Sequence, residues 1–388
     1  MQHSYFDHNA TTPVAPEVLE TMVSCLGQVY GNASSIHHFG QAAKQKLEAA
    51  RRQVASLIHC HPTDVVFTGG GTEADNLAVL GVLHATNGAA SPRPAHVITS
   101  SIEHPAVLAA CDQLEREGAS VTRLPVNAGG IVNPDDVRHA LRHETALVSV
   151  MHANNELGTL QPIAEIARIT REAGALLHVD GVQALGKIPV DMEALGVDLY
   201  SMSGHKLYAP KGVGALYVRK GTRLAATTFG GHHERDRRAG TENVPGIVAF
   251  GAAADLAARS LSGESERLSA LRDRFENAVL NRISGSGING ARWNRTPNTS
   301  NLSFDGIDGE ALVIALDLRG FAVSTGSACS SGAITPSHVL TALGLSADRA
   351  RSSLRFSLGR SNTAEQVDAL ADALEASVAH LRRISVHA

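Results

Sequence analysis

Lysine is scarce in this 388-residue chain: only Lys44, Lys46, Lys187, Lys206, Lys211 and Lys220 occur, and 28 of the 34 basic residues are arginine. Solubility is left mainly to arginine, so each lysine can be weighed on its own. Cysteine is scarcer still, at positions 25, 60, 111 and 329, with no CxxC pair. Such spacing argues against both a disulfide framework and a paired-cysteine zinc site. Basic charge is not in excess. The net charge of −4 excludes the electrostatic footprint of a nucleic-acid-binding surface. No window reaches the roughly 18 uninterrupted apolar residues of a membrane span. The opening stretch MQHSYFDHNATTP lacks a basic region followed by an apolar run, so no signal peptide is expected. These absences predict a cytoplasmic protein with no membrane partner. Internal repeats and low-complexity segments are absent as well.

What is present is the material for a large core, with 43% hydrophobic and 19% charged residues. At about 150 residues per domain, two or three domains are expected. Short apolar runs (DVVFTGG, AHVITSS, ASVTRLPV, ALVSVMHAN, GALLHVD, GVDLYSMS, GVGALYV) alternate with segments of helical spacing. That alternation predicts an α/β fold with a mostly parallel sheet covered on both faces. Near ARSLSGESER, residues 258–267, the pattern changes, and a long helix is expected from there to about 282. The reading is a large α/β domain over residues 15–260. Residues 1–14 and 261–388 form a smaller α+β domain. Its last helix starts near Asn362, with NTAE as a capping box.

Ligands of open α/β sheets bind at the carboxyl ends of the strands. That rule selects Gly69–Thr72, His104, Asn154–Glu156, Asp180–Gln183 and Ser203–Lys206. FTGGGTEADN reads as strand, glycines and helix start, which suits a phosphate: backbone N–H groups are free there, and Thr72 adds a hydroxyl. A dinucleotide is the first rival, but it needs an acidic residue about 20 positions on, and residues 85–101 contain none. A P-loop fails for want of GK[ST]. A plain glycine-rich turn stays open.

Asp180 ends one apolar strand, and Ser203, His205 and Lys206 follow another. A phosphate cradle, a strand-end acid and a strand-end lysine together suit pyridoxal 5'-phosphate. Its aldehyde needs an amine and its ring nitrogen a carboxylate. Taken singly, Asp180 also suits a turn or cap, Lys206 a solvated charge, His104 a helix start, and Arg355 the exposed face of an alternating strand. Cys25 and Cys111 read as packing residues. Cys60, in HCHP, reads as a loop end, so no metal site is expected. Cys329 stands apart, because STGSACSSG, within a loop of about 324–335, offers nothing that could pack a core.

The stretches YFDHNATTPVAPEV, GNASSIHHFG, IEHPAVL, HANNELGTLQPI, HVDGVQALGKIPVD, SMSGHKLYAPKGVGALYVR, RRAGTENVPGIVAFG, STGSACSSG and SSLRFSLGR, in that order, resemble the cysteine desulfurases of the NifS/IscS type. These are pyridoxal-phosphate enzymes of the class V aminotransferase group, and the resemblance covers nearly the whole chain. It implies a fold type I homodimer with a seven-stranded, mostly parallel sheet. Lys206 resembles the Schiff-base lysine, Asp180 the ring-nitrogen partner and Gln183 the donor to the ring hydroxyl. His104 resembles the histidine stacked on the ring. Gly71, Thr72, Ser203 and His205 resemble the phosphate site, joined by Thr241 of the other subunit. Asn155 and Arg355 resemble the binders of substrate carboxylate, and Cys329 the persulfide-forming residue. The implied reaction turns L-cysteine into L-alanine and leaves its sulfur on Cys329 for an acceptor protein, an iron–sulfur scaffold being one candidate. A selenocysteine lyase or another class V enzyme is the alternative; it would keep Lys206 and Asp180 without requiring Cys329. A non-catalytic scaffold of the same fold is a third reading. Two departures stand out: Gly70 replaces a usual serine, and Asp236 stands where a small residue is usual.

Overall fold

A computed structural model describes residues 3–86, 95–326 and 336–385, so Cys329 lies outside the described residues. The chain opens with a two-residue strand, β1 (Ser4–Tyr5), and the helices α1 (Pro16–Gln28) and α2 (His38–Leu57). Then come β2 (Val65–Thr68), α3 (Gly71–Thr86), β3 (His96–Ser100), α4 (Pro105–Arg116) and β4 (Ser120–Leu124). Next are α5 (Pro134–Ala140), β5 (Thr145–Ser149), α6 (Ile163–Glu172), β6 (Leu176–Asp180), α7 (Met192–Leu195), β7 (Leu199–Ser203) and β8 (Gly214–Val218). The C-terminal part holds α8 (Val244–Arg282), β9 (Ser286–Ile288), β10 (Thr299–Phe304), α9 (Gly309–Asp317) and β11 (Phe321–Ala322). It ends with α10 (His338–Ala342), α11 (Ala347–Arg351), β12 (Ser353–Ser357) and α12 (Ala364–Ser385).

The apolar runs become strands because both of their faces are covered: β2, β3, β7 and β8 are buried along their whole length. Seven strands form one sheet in the order β2-β8-β7-β6-β5-β3-β4. All neighbours pair in parallel except β8, which runs against both β7 and β2. This is the expected α/β architecture. The register matters for the site. Asp180 pairs with Ser201, so the ends of β6 and β7 emerge side by side. Since β8 is antiparallel to both its neighbours, the loop after β2 leaves by that same edge. Fully burying each aliphatic or aromatic side chain of this core is worth about 1.5–3 kcal/mol. Gly181 is one place where nothing larger fits: a Cβ there would stand 1.9 Å from the buried Tyr200 ring.

The long helix starts earlier than its composition suggests. α8 begins at Val244, capped by Asn243, whose side chain accepts from Gly246 N at 3.1 Å. It runs unbroken through the polar stretch 258–267. Val244, Ile247, Phe250 and Ala254 bury in the core of the large sheet, whereas Leu268, Leu271, Phe275 and Val279 bury in a second core. The polar stretch therefore marks a change of core, not a helix end. By length and composition α8 could cross a membrane, but its apolar side chains are spent inside these two cores. The second core is closed by α12 and by an antiparallel sheet, β12-β10-β9. The cap of α12 is shifted by one residue from the expected box. Thr363 Oγ1 accepts from Gln366 N, and Gln366 Oε1 accepts from Thr363 N. Asn362 instead serves Gly359 N and Tyr5 O.

The N-terminal segment joins the two parts. β1 pairs in parallel with β11, Asp7 bridges to Ser357, and Thr12 N then donates to His205 O at 2.9 Å beside the large sheet. Residues 8–11 thus lie between both cores, over the carboxyl edge of β6 and β7.

Candidate active site

The glycine loop after β2 delivers the first turn of α3 to this edge. A Cβ at Gly71 would lie 2.9 Å from Val182 and 3.3 Å from Ser203 Cβ, so only glycine brings the backbone this close. Ser203 Oγ is buried here and has no hydrogen-bond partner among the described residues. An orphaned hydroxyl beside the free N–H groups of a helix start is a donor set for a phosphate. His205 follows in the turn after β7. Burial, and then the Lys206 charge, push its pKa down to about 4, so it stays neutral at physiological pH.

Asp180 ends β6 and is buried, with Oδ1 accepting from Val182 N at 2.9 Å. Burial raises its pKa, while His104 and Lys206 pull it back. A carboxyl in that balance favours a cationic partner on its free side. Asp75, on α3, is also buried and pushed well up, by burial and then by Asp180. Its Oδ1 has no hydrogen-bond partner among the described residues. His104 is both things the sequence allowed. Its Nδ1 caps α4 by accepting from Ala106 N at 3.1 Å, and its ring lines the cavity. That cap directs the ring proton of the neutral form to Nε2, and burial holds the pKa below its ordinary value. Glu103 sits behind it, fully enclosed, accepting from Met151 N at 3.0 Å and from Ser100 Oγ.

Lys206 stands in a short turn after β7 and donates to the carbonyl oxygens of Asn9 and Ala10, at 2.5 and 2.6 Å. Gln183 Nε2 donates to the same Asn9 carbonyl at 2.9 Å. Arg355, on β12, is only 2% exposed, which rules out a solvent-facing position. Its Nη2 pairs with Asp7 at 2.7 Å and its Nη1 donates to Asn155 O at 3.1 Å. Its Nε is buried without a protein partner among the described residues, leaving one donor of the fork open. Ser324 pairs with Arg355 through both backbone bonds, and Gly326 lies against Glu156. Glu156 in turn accepts from Ser337 Oγ at 2.6 Å.

These groups meet in one cavity of about 420 Å³. It is lined by Gly71, Thr72, His104, Asn155, Asp180, Gln183, Ser203, His205, Lys206 and Arg355 among the residues picked from sequence. Thr241 is not in that wall; it lines a separate hollow with Gly69, Arg238 and Glu242. Nearby, Glu234, Arg235 and Asp236 all have positive φ, and Asp236, at +63°, is a residue type that tolerates it. The buried Arg51–Glu234 pair, at 2.8 Å, holds that turn. Sequence reasoning missed Asn9, Ala10, Asp75 and Met151 as wall residues, whereas Val182 and Gly326 fall within segments that it selected. Only Asp75 had a local signal, lying one helical turn after the glycine loop.

Residues 4–370 match the family described as aminotransferase class-V. A protein named cysteine desulfurase IscS from Dictyoglomus turgidum is 48% identical over 381 residues, covering 98% of this chain and 96% of that protein. A solved structure described as a NifS-like protein superposes with a TM-score of 0.91 at 36% identity, covering 98% of this chain and all of that one. A second, of SspA in complex with cysteine, gives a TM-score of 0.81 at 37% identity over 91% of this chain and 98% of that one. The glycine cradle, the strand-end acid and lysine, and these full-length matches lead to one conclusion: the chain belongs to the aminotransferase class-V family.

Proposed function

We infer that the chain is a cysteine desulfurase that takes sulfur from L-cysteine with pyridoxal 5'-phosphate as cofactor. The observation that carries this reading is convergence. Lys206, Asp180, His104 and Arg355 face one cavity, and its wall includes Gly326, three residues before Cys329. The donor set fits the cofactor: a Ser203 hydroxyl at a helix start with no partner among the described residues, a buried strand-end acid, and an amine in the same wall. Bound there, the cofactor supplies an aldehyde for amines and a ring that takes up negative charge from a substrate carbon.

The chain's own residues supply the rest. Gly71, Thr72, Ser203 and His205 would hold the phosphate. Asp180 would pair with the ring nitrogen, and Gln183 would donate to the ring oxygen. Lys206 would anchor the aldehyde and carry the proton at the substrate Cα. His104 would lie against the ring. Arg355, with its open Nε, and Asn155 orient the substrate carboxylate. The Cys329 thiolate attacks the substrate sulfur and forms an S–S bond as the C–S bond breaks. L-Cysteine plus a protein thiol thus become L-alanine plus a protein persulfide, which passes to an acceptor protein, an iron–sulfur scaffold being one candidate. A homodimer is supported by exposed Leu19, Val23 and Leu26 along one side of α1, with Tyr30, Ile36 and Phe39 nearby. It is supported too by Thr241, which in this reading completes the partner's phosphate site. A cytoplasmic location fits the free thiols of Cys25, Cys60 and Cys111.

The test is Cys329→Ala. The variant should keep the visible absorption of bound cofactor while sulfide release from L-cysteine falls to background. Full turnover by that variant overturns the assignment, and parallel assays with selenocysteine separate the lyase alternative.

A further inference from the structure

Lys187 is the lysine for which the reaction has no use. It lies four residues after Gln183, in the turn following β6 where Leu185 N and Lys187 N bond back to Gly181 and Ala184. Lys187 Nζ lies 2.5 Å from Gln183 Oε1 and 3.0 Å from Asn9 Oδ1. Among the described residues no carboxylate pairs with it. The nearest charges are cations, Lys206 and Arg355; these and, above all, burial press its pKa well below the ordinary value. His8 lines the same rear cavity and is held neutral, its pKa about 4. A lysine kept at that disadvantage is there for its donors.

The hydrogen bonds say what the donors do. An amide oxygen only accepts, so Lys187 donates to Gln183 and Asn9 whether or not it is charged. Gln183 must then turn its NH₂ the other way. One N–H goes to Asn9 O at 2.9 Å, the same carbonyl that receives Lys206. The other is left for the cavity that Gln183 lines. Asn9 is fixed in the same manner. Its Oδ1 faces Lys187 and Asn298 Nδ2, and its own NH₂ faces Asn155 O and Thr299 Oγ1.

We propose that Lys187 is a positioning residue: by occupying Gln183 Oε1 it compels Gln183 to present an N–H, never an oxygen, to the cofactor's ring oxygen. This rests on the cofactor reading above. Without Lys187 only the Asn9 carbonyl holds the amide's orientation, and in the rotated form a carbonyl oxygen would oppose the ring oxygen's negative charge.

The experiment uses the full-length, cofactor-loaded chain and follows the visible absorption of bound cofactor against pH. Gln183→Leu and Lys187→Met should each raise the midpoint by about one unit, the size of one lost hydrogen bond to a charged oxygen. The double variant should show no more than either single one, because both remove the same contact. Lys187→Arg, which keeps donors, should show little of the shift. Should Lys187→Met fail to fold, Lys187→Leu, which also lacks a donor, replaces it in the same cycle. A lowered Tm with an unmoved midpoint, or shifts that add in the double variant, overturns the proposal. Lack of any cofactor band in the unmodified chain would instead overturn the functional reading.

Discussion

Lys206 and Lys187 stand on either side of Asn9 and use different atoms of it. Lys206 donates to the backbone carbonyl, from the wall of the large cavity. Lys187 donates to the side-chain oxygen from behind that wall. Two acids repeat the arrangement. Asp180 lines the cavity, while Glu103 lies behind His104, its Oε1 already taken by Ser100 and Met151. The same functional groups therefore do different jobs according to what they face. Chemistry needs a group that faces the cavity, whereas positioning needs one held behind its wall.

The comparison breaks most visibly at Lys206. Lys206→Ala would remove both the proposed anchor and the proposed proton carrier, so turnover should fall by at least about 10³-fold. Borohydride treatment should then add no cofactor mass to the chain. Retention of covalent cofactor by this variant would mean that another amine, with Lys187 the nearest, reaches the cavity, and the front-and-back distinction would be lost.

Arg355 sharpens the distinction at the level of geometry. Its charge is already shared with Asp7, and its buried Nε has no partner among the described residues; in the proposed function its planar fork holds the substrate carboxylate. Arg355→Lys retains the charge and loses the fork. KM for L-cysteine should rise about ten- to a hundredfold, the value of one charged hydrogen bond, with a smaller change in kcat. An unchanged KM would show that charge alone suffices.

The front of the site was legible in the sequence and the back was not, for physical reasons. Strand-end chemistry is local. Asp180, Ser203 and Lys206 each follow an apolar run directly, and His104 precedes a helix with Pro105 at its start, so position along the chain predicts position at the sheet edge. Asn9 has no such marker. It reaches the site only because β1 pairs with β11, more than 300 residues away, and because Ser357 and Thr299 receive it. The burial of Arg355 was hidden by the alternation of SSLRFSLG, which reads as a half-exposed strand; contacts with Asp7 and Asn155, distant in sequence, close its other side. The start of α8 was misplaced because a polar stretch reads as a boundary, yet a helix passing between two cores needs polar residues there. The assignment of Thr241 rests on resemblance alone, since within its own chain it lines a separate hollow.

The last effect belongs to Glu103, and it should appear in stability and not in turnover. Burial pushes its pKa up to about 8, with Ser100 and Met151 opposing and Asp180 reinforcing. An unfolded glutamate titrates near 4.3. Below that pH both states hold the proton and nothing is lost. Between about 4.3 and 8 the folded chain keeps a proton that the unfolded chain releases, so stability falls as pH rises. Above 8 the loss levels off. Glu103→Gln keeps an oxygen for Ser100 and Met151 and has nothing to titrate. Its urea midpoint should match that of the unmodified chain near pH 4.5 and exceed it progressively up to pH 8. One pKa unit is about 1.4 kcal/mol, so a third of the shift already gives a measurable gap. Parallel midpoints across that range would mean that Glu103 is ionised and paired in the folded chain, and the acid behind the wall would then be no different from the one in front.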